Sequence, residues 1–528
     1  MDRNTIGRYF QTLRYLKAKQ IYYRIFYFLR NKIYRKNYNK KYQFIANNFF
    51  WKNRIYSIKS YFGDNTFEFL NKRKKFDKID WNFEENGKLW NYNLVYFDFL
   101  NQDKVHIKNS LEIINDFILQ DKKHISGHEP YTISLRNINF IKFVSSNKIK
   151  ESSIDKYIYN SYIRLIDSLE FHLLGNHLLE NAFSLLFGSY YFNDKKFYKI
   201  AEDILIEELE NQILDDGGHF ELSPMYHCII LNRVLDSIAM LESNDKAFLS
   251  NKLYKKLKDV AVLMLSWLNT IIYRNNSIPH LNDSTYNIAF SPFDLFNYGK
   301  VLNLKWDKII LNESGYRKYS TKDIECIIDI GKIGPDYLPG HSHSDTFNFE
   351  INFKNLPYIV DTGISTYENN QLRLSQRSTF AHNTITVNDE DQSEVWNAFR
   401  VGRRAKIIDL NEEDNIINAS HNGYQHLNAT HNRKFILNSN SIIIQDKIIN
   451  PNKYKIKSCL HFHPSRSVKY LNNTIFIDKK IELKLEDYLE IHIEDYNYCL
   501  GFNKTVVGKK LVGTVKDNSK IEIIFKNL

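Results

Sequence analysis

The spacing of apolar residues changes period once along this chain, and that change limits the folds open to it. Between about residues 105 and 275, apolar side chains recur every three or four positions. Examples are "HLLENAFSLLFGSYYF", "DKKFYKIAEDILIEELENQI" and "NKLYKKLKDVAVLMLSWLNTIIY". Short breakers part these segments: Gly175, "FND" at 192–194 and "DDGG" at 215–218. Serial helices joined by short loops stack as hairpins, and enough of them curve into an α/α toroid, an incomplete barrel. After about residue 315 the period falls to two. "IECIIDIG", "TFNFEINF", "NTITVND" and "IELKLEDYLEIHIEDY" read as consecutive strands with polar turns between them. Without intervening helices they predict antiparallel sheets in a β-sandwich.

A chain of 528 residues is too long for one core. The expected division is a basic segment over 1–45, the toroid over 46–315 and the sandwich over 316–528, with the linker in "NESGYRKYSTKD" at 312–323. The net charge of +11 is local: residues 1–45 hold twelve Lys/Arg and one acid, while the other 483 residues carry sixty of each sign. The balanced body argues against nucleic acid as a partner. In "RYFQTLRYLKAKQIYYRIFYFLRNKIYRKNYNKK" cations alternate with aromatic and aliphatic residues at helical spacing. Two readings of that stretch stay open. One is a basic amphipathic helix on an anionic membrane surface or polyanion; the other is a helix packed on the body with its basic face in solvent. No apolar run reaches the roughly 18–20 residues of a membrane span, and no signal-peptide pattern is visible. The four cysteines, Cys228, Cys326, Cys459 and Cys499, lack disulfide or metal spacing. A reducing compartment is therefore expected, cytoplasmic or peripheral to the inner membrane, with a periplasmic location left open.

Three stretches carry polar groups that local pattern does not require. In "GNHLLENAF", Asn176 and His177 open a helix and Glu180 follows on the face of His177. In "DDGGHFELSPMYH", Ser223 before Pro224 reads as a helix cap, which places Tyr226 in the first turn. There the positive helix end favours the phenolate. The third stretch is "PGHSHSD", followed by "DTFNFEINFKNLPYIVDTG" and "FAHNTITVND". Phe347, Phe349, Ile351 and Phe353 alternate with Asn348, Glu350 and Asn352, the pattern of a strand with one face in a core and one in solvent. His343, Asp361 and His382 stand at strand boundaries and suit zinc. Read without a metal, the two histidines are buried and hydrogen-bonded. Each stretch taken singly also has a plain structural reading.

Together these strings resemble the heparinase II/III-like polysaccharide lyases. The matching pieces are "NH" at 176–177, "DGGHFELSPMYH" at 216–227, "IPHLNDS" at 278–284, "PGHSHSDTFNFEI" at 339–351, "VDTG" at 360–363 and "RSTFAHNTITVND" at 377–389. The resemblance implies β-elimination on a uronic-acid-containing acidic polysaccharide. Such a site must neutralise the C5 carboxylate, offer a base and protonate the leaving oxygen. By resemblance, Asn176 and His177 would hold the carboxylate and Tyr226 would be the acid, also serving as base in a syn elimination. His341 would be the partnering base or orienting group. Glu180, Tyr367 and Arg377 would assist substrate binding. His343, Asp361 and His382 would hold a structural zinc that fastens the strand end aiming His341. The helical preface is similar to that of family members associated with bacterial surface-polysaccharide production, which implies a role on a polymer the cell makes. Two alternatives stand beside this reading: a non-catalytic acidic-glycan-binding or assembly protein on the same fold, and a glycoside hydrolase. A hydrolase of this kind needs paired carboxylates where this chain offers Tyr and His.

Overall fold

The computed structural model describes residues 3–33, 38, 49–244 and 250–526. The remainder of the basic 1–45 segment, at 1–2, 34–37 and 39–45, lies outside the described residues. Among the described residues, nine α-helices run in series from Lys88–Tyr96 to Pro292–Val301. Their starts are chemically specified. Asp194 accepts from the backbone N–H groups of Lys196 and Phe197, and Ser250 and Ser291 cap the helices Asn251–Ile271 and Pro292–Val301 in the same way. Helix Gly175–Phe192 is buried on almost every side, because it packs between Pro130–Ser146, Lys195–Gln212 and Pro224–Ser243. A small hairpin, Thr66–Phe69 with Lys72–Lys75, precedes the helical array.

The carboxy-terminal half is built on an antiparallel sheet of fourteen strands, beside a separate small hairpin of Val395–Trp396 and Arg400–Val401. Its first strand, Tyr316–Ser320, begins inside the expected linker. The hairpin Ile481–Gly501 and Lys504–Phe525 is its long spine, and bulges near Glu486, Tyr488 and Glu490 let it bend. The sheet thereby folds over a main core that includes Phe349, Ile351, Phe435, Leu460, Ile521 and Ile523, with a smaller cluster around Ile385, Tyr424 and Val515. A toroid followed by a folded-over sandwich is the expected fold class.

The strand Phe349–Phe353 differs from expectation on its polar face. All five residues are buried. Glu350 accepts from Tyr273 Oη at 2.9 Å and from the backbone of His280 and Asp361. The polar face meets the helical half instead of water, so alternation marked two buried faces, one of them an interface. The segment "IPHLNDS" forms that seam. Asn282 donates to the Leu222 carbonyl and accepts from the backbone N–H of His343, and Asp283 N–H donates to the His341 carbonyl.

The amino-terminal helices Arg3–Leu13 and Ala18–Ile33 lie against both halves. Gln20 is buried and donates to the Leu173 carbonyl, Tyr27 Oη donates to the Leu169 carbonyl, and Tyr23 stacks on Phe171. Arg8 pairs with Glu394, and Tyr9 meets Trp396 edge-on. Among the described residues no helix is long and apolar enough to cross a membrane. The four cysteines are buried and unpaired.

One buried histidine sets an acid limb on stability. His227 accepts from the His219 N–H and donates from Nε2 to the Met264 carbonyl, and burial pushes its pKa down to about 3. Its folded value lies below the unfolded 6.5, so its contribution is full above that pH and is lost as pH falls toward 3. By about pH 5 this amounts to about 2 kcal/mol. His227→Gln flattens the fall in denaturation free energy between about pH 7 and 5 by that amount. Urea titrations at the two pH values check it.

Candidate active site

The site forms where the first turn of helix Pro224–Ser243 meets the loop before strand Phe349–Phe353. Ser223 caps the helix by accepting from Tyr226 N–H at 3.2 Å, and its hydroxyl donates to the Asp283 carbonyl at 2.7 Å. That cap presents the Tyr226 ring to His341, and the two rings stack with centroids 3.8 Å apart. Tyr367 Oη donates to Tyr226 Oη at 3.4 Å. The phenolate expected from the helix end is not what the setting favours. Burial, Tyr367 and the carboxylates of Asp283 and Glu221 push the Tyr226 pKa well above 10. Tyr226 is a phenol with a proton to give.

Asp283 organises the imidazole. Burial alone would raise its pKa, but Arg373 and the two histidines hold it well below the usual carboxylate range. Arg373 reaches its oxygens at 2.5 and 2.7 Å, and His343 Nε2 donates at 2.8 Å. His341 Nδ1 lies 2.9 Å from the same carboxylate. An ionised acceptor there fixes the proton of the neutral ring on Nδ1, so that Nε2 is that tautomer's acceptor nitrogen. Nε2 stands 3.5 Å from Glu221 Oε2.

Asn176 and His177 approach from the start of helix Gly175–Phe192. Gly175 has φ +61°, and a Cβ there would fall 2.1 Å from the Leu338 side chain, so the entry turn requires glycine. The Asn176 amide does not cap the helix; it donates to both Glu221 oxygens at 3.1 and 3.0 Å. His177 Nδ1 bonds Glu170 at 3.0 Å, and its side chain is 39% exposed. Burial would lower its pKa, yet Glu170 and then Glu221 leave it raised, favouring a cation. Asn176, His177, Tyr226, His341 and Tyr367 thus share one locale.

The sequence is matched by two family models: "Heparinase II/III N-terminus" over residues 129–296 and "Heparinase II/III-like, C-terminal" over residues 305–526. The chain belongs to the heparinase II/III-like family. A heparin-sulfate lyase of Bacteroides stercoris is 23% identical over 61% of this chain and 51% of its own length. One from Pedobacter heparinus is 24% identical over 48% of this chain and 42% of its own. The chain spans about half the length of the curated relatives it matches. Among solved structures, a heparinase III has a TM-score of 0.62 at 16% identity, covering 86% of this chain and 80% of that one. A chondroitin AC lyase of Streptomyces coelicolor reaches 0.51 at 6% identity, over 83% and 74%. These likenesses carry the fold.

Within this heparinase II/III-like chain, two expected substrate-binding residues lie elsewhere. Glu180 is fully buried with both oxygens on Arg233 Nε, at 2.9 and 3.0 Å. Arg377 is fully buried and donates to the carbonyls of Ser342, Asn397 and Ala398. It braces the loop carrying His341, with all three guanidinium nitrogens on backbone carbonyls. Three residues escaped the sequence reading: Glu221, Asp283 and Arg373. Glu221 and Asp283 stood inside quoted strings, but only their partners across the seam give them roles.

The expected metal corner is only partly poised. The rings of His343 and His382 are tilted to one another, with centroids 5.3 Å apart. Each gives one nitrogen to a carboxylate, His343 to Asp283 and His382 Nδ1 to Asp361 at 2.7 Å. Their other nitrogens, His343 Nδ1 and His382 Nε2, are buried without a hydrogen-bond partner, as is Asp345 Oδ2. Two imidazoles oriented by carboxylates with free lone pairs are the donor chemistry of a zinc site. Asp361 is placed as an orienting group, its oxygens taken by His382, Asn348 and Gly363 N–H. Among the described residues no three His, Cys, Asp or Glu side chains stand together as a ready metal cage.

A cavity of about 310 Å³ adjoins the site. Tyr131, whose ring lies 4.6 Å from His177, and Phe502, 4.9 Å from Tyr367, belong to its lining. Asn93, Asn139, Asn232 and Lys142 also line it.

Proposed function

We propose that this protein cleaves a uronic-acid-containing acidic polysaccharide by β-elimination. The observation that carries the reading is the Tyr226–His341 stack, a phenol from the toroid against an imidazole from the sandwich. In this reading the substrate carboxylate meets Asn176 and the His177 cation, which make the C5 proton easier to remove. The amide of Asn176 already donates to a carboxylate, that of Glu221. In the same reading His341 Nε2, the acceptor nitrogen of the neutral ring, would take the proton, and the protonated Tyr226 would give one to the departing oxygen. In a syn elimination Tyr226 would do both, with Tyr367 supporting its oxygen. The adjoining cavity, lined by tyrosines and asparagines, would seat the neighbouring sugar.

The test is a screen of the purified full chain against acidic polysaccharides, including the producing cell's own. The expected result is a product absorbing in the near ultraviolet, from its 4,5-unsaturated uronate. Saturated ends carrying oxygen from water would overturn the reading in favour of hydrolysis. Tight glycan binding with no product would favour the non-catalytic alternative.

We also propose zinc between His343 and His382, with Asp361 exchanging its His382 contact for the ion or orienting the ring. Bound there, zinc would brace the loop that aims His341; no chemical step passes through it. The expected outcome is about one zinc per chain by elemental analysis and a lower melting temperature in chelator, restored by zinc. A metal-free protein with an unchanged melt would remove the proposal.

A further inference from the structure

The helix Ala18–Ile33 is packed inside out for a surface helix. Its inward face is Gln20, Tyr23, Tyr27 and Arg30, which bond to or stack on the stretch Asp167–Phe171 and Leu173 of the body. Its outward face is apolar: Ile25 is 56% exposed, Phe28 60% and Leu29 50%, and Ile21, Tyr22, Phe26 and Ile33 join them. Ile6, Phe10 and Leu13 continue an exposed stripe along the helix Arg3–Leu13. A helix packed for stability alone turns this stripe toward the core. The helix is packed on the body with cations in solvent, as one of the two readings had it, and solvent meets its apolar face as well.

The charge around the stripe selects what covers it. Residues 3–33 hold eight Lys/Arg and no acid. Arg8, Lys19 and Arg30 pair with Glu394, Glu207 and Asp167 of the body. Arg14, Arg24 and Lys32 face no described carboxylate at ion-pair distance, and Lys32 lies over the exposed Phe28 ring, 4.2 Å from its centroid. A polysaccharide offers no apolar matter to fill such a stripe. A second copy would bring like charge against like. An anionic lipid surface supplies both acyl chains for the stripe and phosphates for the cations.

We infer that the two amino-terminal helices form an interfacial foot that seats the protein on an anionic lipid surface. The foot is tied to the body beside the active site. Gln20 reaches the Leu173 carbonyl, two residues before Gly175, and Lys17 lies over the Tyr337 ring at 3.9 Å. The lipid-bound protein thus holds its cleft at a fixed aspect to the surface. The inference does not rest on the lyase reading, because its readout is binding and not turnover.

Co-sedimentation of the full chain with vesicles tests it, using phosphatidylcholine alone and phosphatidylcholine mixed with phosphatidylglycerol. The expected result is pelleting with the mixed vesicles only, weakened as salt rises from about 0.1 to 0.5 M. The Ile25→Glu/Leu29→Glu variant lowers the bound fraction by about tenfold or more, with an unchanged melting temperature and basal activity. A protein that stays in the supernatant, or a variant that binds as wild type does, overturns the proposal. So does a wild-type dimer in sedimentation velocity that this variant converts to monomer, since the stripe would then serve a second copy.

Discussion

Tyr226→Phe lowers the rate of unsaturated-product formation by about a thousandfold, the usual worth of a positioned proton donor. The effect falls on kcat, because the phenol is needed where charge builds on the leaving oxygen and not for holding the ring. The fold should not notice the change. The hydroxyl's one described hydrogen-bond partner is Tyr367 Oη at a long 3.4 Å, and the stack on His341 keeps its aromatic ring. Initial rates on the polymer found by the screen, beside a thermal melt, check both halves. Full activity in a folded Tyr226→Phe protein would remove Tyr226 from the reaction.

Asp283→Asn has the larger structural effect. Its carboxylate neutralises the fully buried Arg373 and receives both His341 and His343. The amide leaves the guanidinium charge uncompensated, at a cost of about 3–5 kcal/mol. It also removes the acceptor that fixes the proton on His341 Nδ1. In a related constellation of a different fold, a wrong imidazole tautomer costs about 10⁴ in kcat with geometry intact. The expected result is a large drop in denaturation midpoint, together with near loss of turnover in the fraction still folded. Measuring activity well below the variant's own melting temperature separates the two. A Glu replacement, which keeps the charge, should recover stability more than turnover, because its longer arm displaces the ring.

The helices and strands were legible because their periods of 3.6 and 2 are local properties, set by which face of each element meets a core. Caps were legible for the same reason. Ser223 and Pro224 announced the helix that carries Tyr226, and Ser223 caps it. The linker was placed less well, since Tyr316–Ser320 alternates too briefly for its pattern to stand out. The polar face of Phe349–Phe353 was misread because alternation reports two unlike faces but not what lies against either one.

At the site, the family resemblance pointed to Asn176, His177, Tyr226 and His341, and the chain brings them to one place. Arg377 was read from its charge, and its burial among backbone carbonyls has no local signature. The phenolate reading of Tyr226 failed because the helix end was weighed without the carboxylates and the second tyrosine that arrive from elsewhere.

What the sequence settled by itself was every property that neighbours along the chain decide: the toroid, the sandwich and the helix starts. What only the tertiary structure decided was pairing across the seam: Asp283 under His341, Glu221 on Asn176, Glu180 on Arg233, and the outward apolar face of the first helices. The physical reason is range. Hydrogen-bond and rotamer preferences act over a few residues, whereas a buried charge is set by whatever group folding carries to it, here from as far as ninety positions away between Asp283 and Arg373.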